Sequence, residues 1–235
     1  MEVLLLRAAN PSPFTLDGTN TWVVGRDPAW VVDPGPALPE HLDAVAAAVA
    51  ERGGAGGIAL THDHPDHAEG LGALRERLGD PPVGRMPPLG DGDTFGPFTV
   101  IHVPGHAPDH LVFVADGAAF TGDAVLGAGS VFIAPGSGGL GPYLDGLRRL
   151  RALGLERILP GHGPEVSDPD VKLDTYIAHR LERERRIVAA LDAGLRDEDE
   201  LVAAAWDSVP EGLRLPARWT LQAHLEKLRD EGRLP

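Results

Sequence analysis

Thr61-His62-Asp63-His64-Pro65-Asp66-His67 is the stretch on which the reading of this chain turns. It follows a short apolar run, Ile58-Ala59-Leu60, preceded by Gly56-Gly57, which predicts a buried strand that ends in a loop. Side chains at i and i+2 of an extended segment point the same way, so His62 and His64 can address one cation. Pro65 disfavours helix at His64 and turns the chain. Asp66 and His67 then face another direction, near the start of a helix with Leu71, Leu74 and Leu78 as its apolar stripe. Neutral imidazole and ionised carboxylate together suit zinc, and less selectively iron, manganese or cobalt. The stretch therefore offers two adjacent half-sites, and each still lacks ligands.

Further along the chain, other strand ends supply candidates. Val100-Ile101-His102-Val103-Pro104-Gly105-His106 reads as a strand that breaks at Pro-Gly with a histidine at its tip. Ala118-Ala119-Phe120-Thr121-Gly122-Asp123 reads as a strand ending in Gly-Asp, and Arg157-Ile158-Leu159-Pro160-Gly161-His162-Gly163 as one ending in a glycine-flanked histidine. Loops at strand ends are where folds tend to build sites, and glycine beside a ligand permits a tight turn and close backbone approach.

Taken in order, Thr-His-x-His-x-Asp-His, Pro-Gly-His, Gly-Asp and Gly-His-Gly resemble the metallo-β-lactamase superfamily nearly end to end. Thr19-Asn20-Thr21-Trp22 and Val31-Val32-Asp33-Pro34-Gly35 resemble its opening hairpin. Leu159 to Glu165, with Tyr176-Ile177-Ala178-His179-Arg180 and Arg183-Glu184, is similar to the subgroup called β-lactamase-like protein 2, which carries a C-terminal winged-helix domain. The resemblance implies an α+β fold, a four-layer αββα sandwich over residues 1–168, with a small helical, winged-helix-like domain over 169–235. It implies two zinc ions per chain, one held by His62, His64 and His106, the other by Asp66, His67 and His162, with Asp123 bridging. Asp33 would support the ligand loops. The implied reaction is hydrolysis by a hydroxide shared between the metals, because two ions about 3.5–4 Å apart lower the pKa of a common water toward neutrality. Asp66 and Asp123 would orient that nucleophile, and His110, which matches a recurrent histidine behind the ligands or facing substrate, would donate a hydrogen bond to substrate or be satisfied by backbone. Relatives often carry threonine after Pro-Gly-His, where this chain has Ala107. The flavin-linked di-iron oxidoreductases of the superfamily replace the second motif histidine with glutamate, so His64 argues for hydrolysis over oxygen reduction.

Composition sets the outer bounds. A chain of 235 residues with 43% hydrophobic and 24% charged residues is expected to fold as a soluble domain with a normal core and a small appendage. No run of about 18 apolar residues is present, which excludes a membrane-spanning helix. The N-terminus has no basic segment followed by an apolar run, so a cytoplasmic location is expected. Cysteine is absent, which excludes disulfides, a catalytic thiol and cysteine-ligated zinc. A net charge of −14 opposes nonspecific attraction to nucleic acid.

After the last ligand the pattern becomes helical. Ile177, Leu181, Val188 and Leu191 predict the inward stripe of a long helix, with Arg180, Arg183, Arg185 and Arg186 on a solvated face interleaved with Glu182 and Glu184. Asp197 to Trp206 and Pro216 to Glu231 predict two further helices, and Gly232-Arg233-Leu234 a short wing strand. From Tyr176 to Pro235 there are ten Lys and Arg against twelve Asp and Glu, too acidic a balance for reading double-stranded DNA. A lid or homodimerisation role fits this segment better. Gly127 to Gly141 is glycine-rich and is expected to form a loop beside the site.

Two substrate classes follow from the resemblance. The β-lactamase-like protein 2 subgroup implies endonucleolytic cleavage of single-stranded RNA. Glyoxalase II, which shares the metal set, implies hydrolysis of a small ester or thioester. An iron-dependent sulfur dioxygenase is the alternative from another reaction class. A non-catalytic binding module fits poorly, because no metal position is lost.

Overall fold

The computed structural model describes residues 1–206 and 208–234. Two five-stranded mixed sheets face each other. The first contains β1 (Val3–Arg7), β2 (Asn20–Val24), β3 (Ala29–Val32), β4 (Ala55–Ala59) and β5 (Val83–Gly84), neighbours in that order. The pairs β1/β2 and β2/β3 are antiparallel, while β3/β4 and β4/β5 are parallel. The second contains β6 (Thr94–Phe95), β7 (Phe98–His102), β8 (Leu111–Ala115), β9 (Ala118–Gly122) and β10 (Arg157–Pro160), antiparallel except for the parallel pair β9/β10.

Alternation along the strands builds the four layers. Trp22, Val24, Val32 and Ala59 of the first sheet meet Val100, Phe113, Phe120 and Leu159 of the second, which makes the central apolar layer. The intervening residues point outward, as period-two side-chain geometry requires. Val23, Val31 and Ile58 pack on Leu42, Val45 and Val49 of α1 (Pro39–Ala50) and on Leu74 of α3 (Leu71–Leu78). Ile101, Val112, Ala119 and Ile158 pack on Tyr143, Leu144 and Leu147 of α4 (Leu140–Ala152) and on Leu173 and Tyr176 of α5 (Pro169–Asp192). The expected αββα sandwich is thus the observed one.

The helix expected to run on from Asp66 is divided into α2 (Pro65–Ala68) and α3, with Gly70 between them donating its N–H to Gly35 O at 2.9 Å. Gly79, in the left-handed conformation at φ +79°, ends α3. The turn-rich segment 80–92, with Pro81, Pro82, Pro87 and Pro88, contains one short strand, β5.

The C-terminal domain consists of the far half of α5, α6 (Glu198–Ala205), a 3-10 turn at Glu211–Leu213 and α7 (Arg214–Asp230). Pro169 opens α5 and the Asp168 carboxylate accepts from Val171 N–H. Asp197 caps α6 by accepting from the N–H groups of Asp199 and Glu200. Ile187, Leu201, Ala205, Leu221 and Leu228 form the core of this domain.

Two expectations fail here. Gly232, Arg233 and Leu234 form a turn and an irregular end rather than a wing strand. The arginine-bearing surface of α5 is not uniformly solvated, because Arg180 and Glu184 are buried. Leu173, Tyr176, Arg180, Glu184 and Ile187 form the most buried face of α5, while Ile177, Leu181, Val188 and Leu191 flank it. The helix is covered on two sides, by α4 and by α6 and α7, and a single amphipathic stripe cannot describe such an environment. Arg185 and Arg186 do pair with Glu182 at the surface.

Candidate metal centre

Every predicted ligand lies at one edge of the sandwich, beyond strand ends that the two sheets bring together. His62 and His64 follow β4, with Asp66 and His67 in α2. His106 follows β7, Asp123 follows β9 and His162 follows β10. The edge is tied across the sheets by Asn20, whose Nδ2 donates to Pro160 O at 3.0 Å and Gly163 O at 2.9 Å, and by Leu111 N–H, which donates to Thr61 O at 2.7 Å. Trp22 Nε1 also donates to Pro160 O.

Two half-sites result. In the first, His62 Nε2 lies 3.0 Å from His64 Nδ1, which lies 2.9 Å from His106 Nε2. In the second, His67 Nε2 lies 3.2 Å from His162 Nε2, and Asp66 Oδ2 lies 3.1 Å from the latter. Asp123 stands between them. Its Oδ1 is 3.4 Å from both His67 Nε2 and His162 Nε2, and its Oδ2 is 3.5 Å from His106 Nε2. The first, outer half-site includes the exposed His64, whereas His67 and His162 of the second, inner one are buried.

Hydrogen bonds fix which ring atoms are offered. Asp33, at φ +53°, accepts from Thr61 N–H, from Thr61 Oγ1 and from His67 Nδ1, each at 2.8 Å. The Thr61 hydroxyl proton is thereby used, so Thr61 Oγ1 accepts from His62 Nδ1–H at 3.0 Å. His62 and His67 are thus each left with Nε2 as the nitrogen offered to a cation at the centre. His110 is placed differently. It is fully buried, stacks on His62 with centroids 4.8 Å apart, and its Nε2 accepts from Asp123 N–H at 3.1 Å. That nitrogen faces the backbone of the ligand loop and is not directed to the open side of the site.

The electrostatics call for positive charge. Burial disfavours ionisation of Asp123, yet His67 and His162 outweigh it and hold this carboxyl well below the usual range. Burial also works against protonation of His162, but Asp123 and Asp66 hold it up at about 9. His67 is raised against burial by Asp123 and Asp33. Burial pushes His62, His106 and His110 down. A carboxylate in a cage of imidazoles thus draws protons onto the inner pair. Buried Asp123 Oδ1 has no hydrogen-bond partner among the described residues. A divalent cation at each half-site answers the same demand, with nitrogen and oxygen donors of the right kind, so the donor set fits a metal pair.

Glycine is required at position 161, against the candidate ligands. A Cβ on Gly161 would lie 2.6 Å from His67 Cε1 and 2.9 Å from Asp123 Oδ1. Sequence reading missed the roles of Asn20 and Thr61, although both stand in quoted motifs. The available signal was a polar Asn-Thr pair opening an otherwise apolar strand, and a threonine directly before the histidines.

A cleft of about 260 Å³ opens on His106 and Asp123. Its other walls are Pro13, Phe14 and Leu16, then Leu126 with the run Ala128 to Phe132, and Leu213 from the C-terminal domain. Among the described residues, no lysine or arginine lines it.

Residues 14–89 and 87–162 match the sequence profile of the metallo-beta-lactamase superfamily, and residues 198–234 that of the beta-lactamase associated winged helix domain. A Drosophila melanogaster protein named beta-lactamase-like protein 2 homolog is 30% identical, over 99% of this chain and 89% of its own. An atrochrysone carboxyl ACP thioesterase of Aspergillus novofumigatus is 31% identical, over 98% of this chain and 80% of its own. The crystal structure of a metallo-beta-lactamase family protein from Thermus thermophilus superposes with a TM-score of 0.70 at 24% identity, covering 98% and 94% of the two chains, a likeness of fold.

Proposed function

The chain belongs to the metallo-beta-lactamase superfamily, and on that premise we propose that it is a dinuclear zinc hydrolase acting on a small ester or thioester. The observation that carries this reading is the Asp123 carboxylate, which turns one oxygen to each half-site.

His62 Nε2, His64 Nδ1 and His106 Nε2 would hold one ion, and Asp66 Oδ2, His67 Nε2 and His162 Nε2 the other, with Asp123 bound to both. Such a pair supplies a water acidified toward neutral pH and polarises the electrophile. The remaining roles belong to the chain. Asp33 and Thr61 fix the tautomers of His67 and His62. His110 anchors the Asp123 backbone, so we assign it a positioning role in place of hydrogen bonding to substrate. Asp66, the more exposed of the two acids, orients the attacking water and accepts its proton. The water oxygen bonds to the acyl carbon, the carbon–sulfur bond breaks, and the thiolate leaves and takes up a proton.

The apolar cleft favours an acyl substrate over a polyanion. A single-stranded RNA substrate ranks second, because phosphate binding relies on cationic side chains and the described cleft walls offer none. The thioesterase name of one relative points the same way. An iron-dependent dioxygenase ranks third, since the second half-site retains all its ligands.

Metal analysis and a substrate panel test this reading. The expected result is two zinc ions per chain and thioester hydrolysis that His64→Ala abolishes. One iron per chain with oxygen uptake, or RNA cleavage without thioester hydrolysis, would overturn it.

A further inference from the structure

The glycine-rich loop that walls the cleft is held by one stripe of α5. Lys172 Nζ donates to Gly127 O at 3.1 Å, and Tyr176 OH donates to Gly129 O at 3.0 Å while accepting from Leu126 N–H at 3.1 Å. Arg180 donates to Val131 O and to Ser130 Oγ, and its guanidinium lies 5.7 Å from the centre of the Tyr143 ring. Lys172, Tyr176 and Arg180 are spaced by four, so they lie along one helix face. Residues 127–139 contain no helix or strand, so these bonds fix the position of Val131 and Phe132. The same α5 runs on into the C-terminal core, and Leu213 of that domain lies against the cleft that opens on His106 and Asp123. Phe14, 61% exposed, stands at its mouth.

We propose that the C-terminal domain is the specificity element of the site: Leu213 and the wall held by Arg180 form a seat for the apolar acyl chain of the substrate, and Arg180 is a positioning residue for that seat. This rests on the hydrolase reading above. The large apolar side chains Phe14, Leu16, Leu126, Val131, Phe132 and Leu213 share the cleft with His106 and Asp123, so a chain attached to the reacting carbonyl enters it directly. Each methylene seated there should raise kcat/KM about three- to fourfold until the cleft is full.

The test uses the full-length, metal-loaded protein with N-acetylcysteamine thioesters from acetyl to decanoyl, and calorimetric binding of S-hexyl-N-acetylcysteamine, which cannot be hydrolysed. The expected result is a kcat/KM that climbs with chain length and then levels off. Leu213→Asp should flatten that climb and weaken binding of the thioether at least tenfold. Arg180→Met should raise KM for the hexanoyl substrate several-fold more than for the acetyl one, with Arg180→Lys recovering part of the difference. A merely structural role would lower all chain lengths alike. Should Arg180→Met fail to fold, the change at half-buried Leu213 still decides the matter. Thioester hydrolysis without chain-length dependence, or a Leu213→Asp profile like that of the parent, would overturn the seat and leave the hydrolase reading standing. Thioether binding that Leu213→Asp weakens, with no thioester hydrolysed, would support the seat and overturn the thioesterase reading. Absence of both binding and hydrolysis would overturn both.

Discussion

Asp33 Oδ2 lies 2.8 Å from His67 Nδ1, beneath the inner half-site and out of reach of solvent. The carboxylate holds a proton on Nδ1 and leaves Nε2 directed toward the centre. Asp33→Asn keeps the size and tolerates the positive φ, since asparagine visits the left-handed region readily, but its amide can present an N–H to His67. The expected effect is a 10- to 100-fold loss in affinity for the inner ion, on the order of what removal of such outer partners costs elsewhere. Competition with a chelator measures it. Affinity equal to the parent would show that Asp33 only braces the loop.

The two half-sites should empty separately. His106→Ala removes a ligand of the outer set only, and His162→Ala one of the inner set, so each variant should bind one ion firmly and lose at least about a hundredfold in kcat. Gly161→Ala should mimic His162→Ala without removing a ligand, because its methyl would press on His67 and Asp123. Elemental analysis after gel filtration reads the stoichiometry. Retention of two ions by Gly161→Ala would refute the packing argument.

Chelation should also lower thermal stability. The native fold gathers the donors and the unfolded chain disperses them, so metal at a hundred times its Kd stabilises by about 2.7 kcal/mol per site. A Tm that does not depend on metal concentration would contradict a site of this affinity.

The residues gathered at the candidate centre were legible because each stands in a short polar run that breaks an apolar strand. His62 to His67 declare themselves within one motif. The layer order was legible from the resemblance, and the alternation of Val100, Ile101, Val112 and Phe113 carries it in physical terms. What escaped the sequence depends on contacts between distant segments. His110 reads as a donor to substrate, yet its ring stacks on His62 and its Nε2 accepts the N–H of Asp123. Arg180 and Glu184 read as surface charges on a periodicity argument, and only the second cover of α5 buries them. Leu213 lies between the two helices expected at Asp197–Trp206 and Pro216–Glu231, and nothing in its local sequence aims it at the cleft.

Asn20 joins the two sheets through a buried amide that donates to Pro160 O and Gly163 O. Replacing it by alanine leaves Gly163 O without that partner, at about 1–3 kcal/mol, while Pro160 O keeps the Trp22 Nε1–H donor. Asn20→Ala is expected to destabilise by about 1–3 kcal/mol and to loosen the His162 loop, lowering affinity for the inner ion. Denaturant unfolding together with metal titration checks both effects. A stability change below about 0.5 kcal/mol would mean that water replaces the amide.

Glu184 links α5 to α7 from a side chain only 7% exposed, accepting from Lys227 Nζ at 2.8 Å and from Arg233 Nη1, with His224 beside it. His224 first, then Lys227 and Arg233, outweigh burial and pull its carboxyl down to about 2. The folded value lies below the unfolded one, so the ionised form stabilises the fold. That contribution is complete above about pH 4.5 and is lost as the pH falls toward 2, amounting to at most about 3 kcal/mol. His224, depressed chiefly by burial, adds its own loss below about pH 6.5, because the unfolded imidazole takes up a proton that the folded one refuses. Glu184→Gln should therefore be less stable than the parent at pH 7, and the two should converge between pH 4.5 and 2.5. The loss nearer pH 6 should persist in the variant. Urea unfolding followed through Trp206 and Trp219 of the C-terminal domain measures the curve at each pH. Parallel curves for the two proteins below pH 4.5 would mean that Glu184 carries no such linkage.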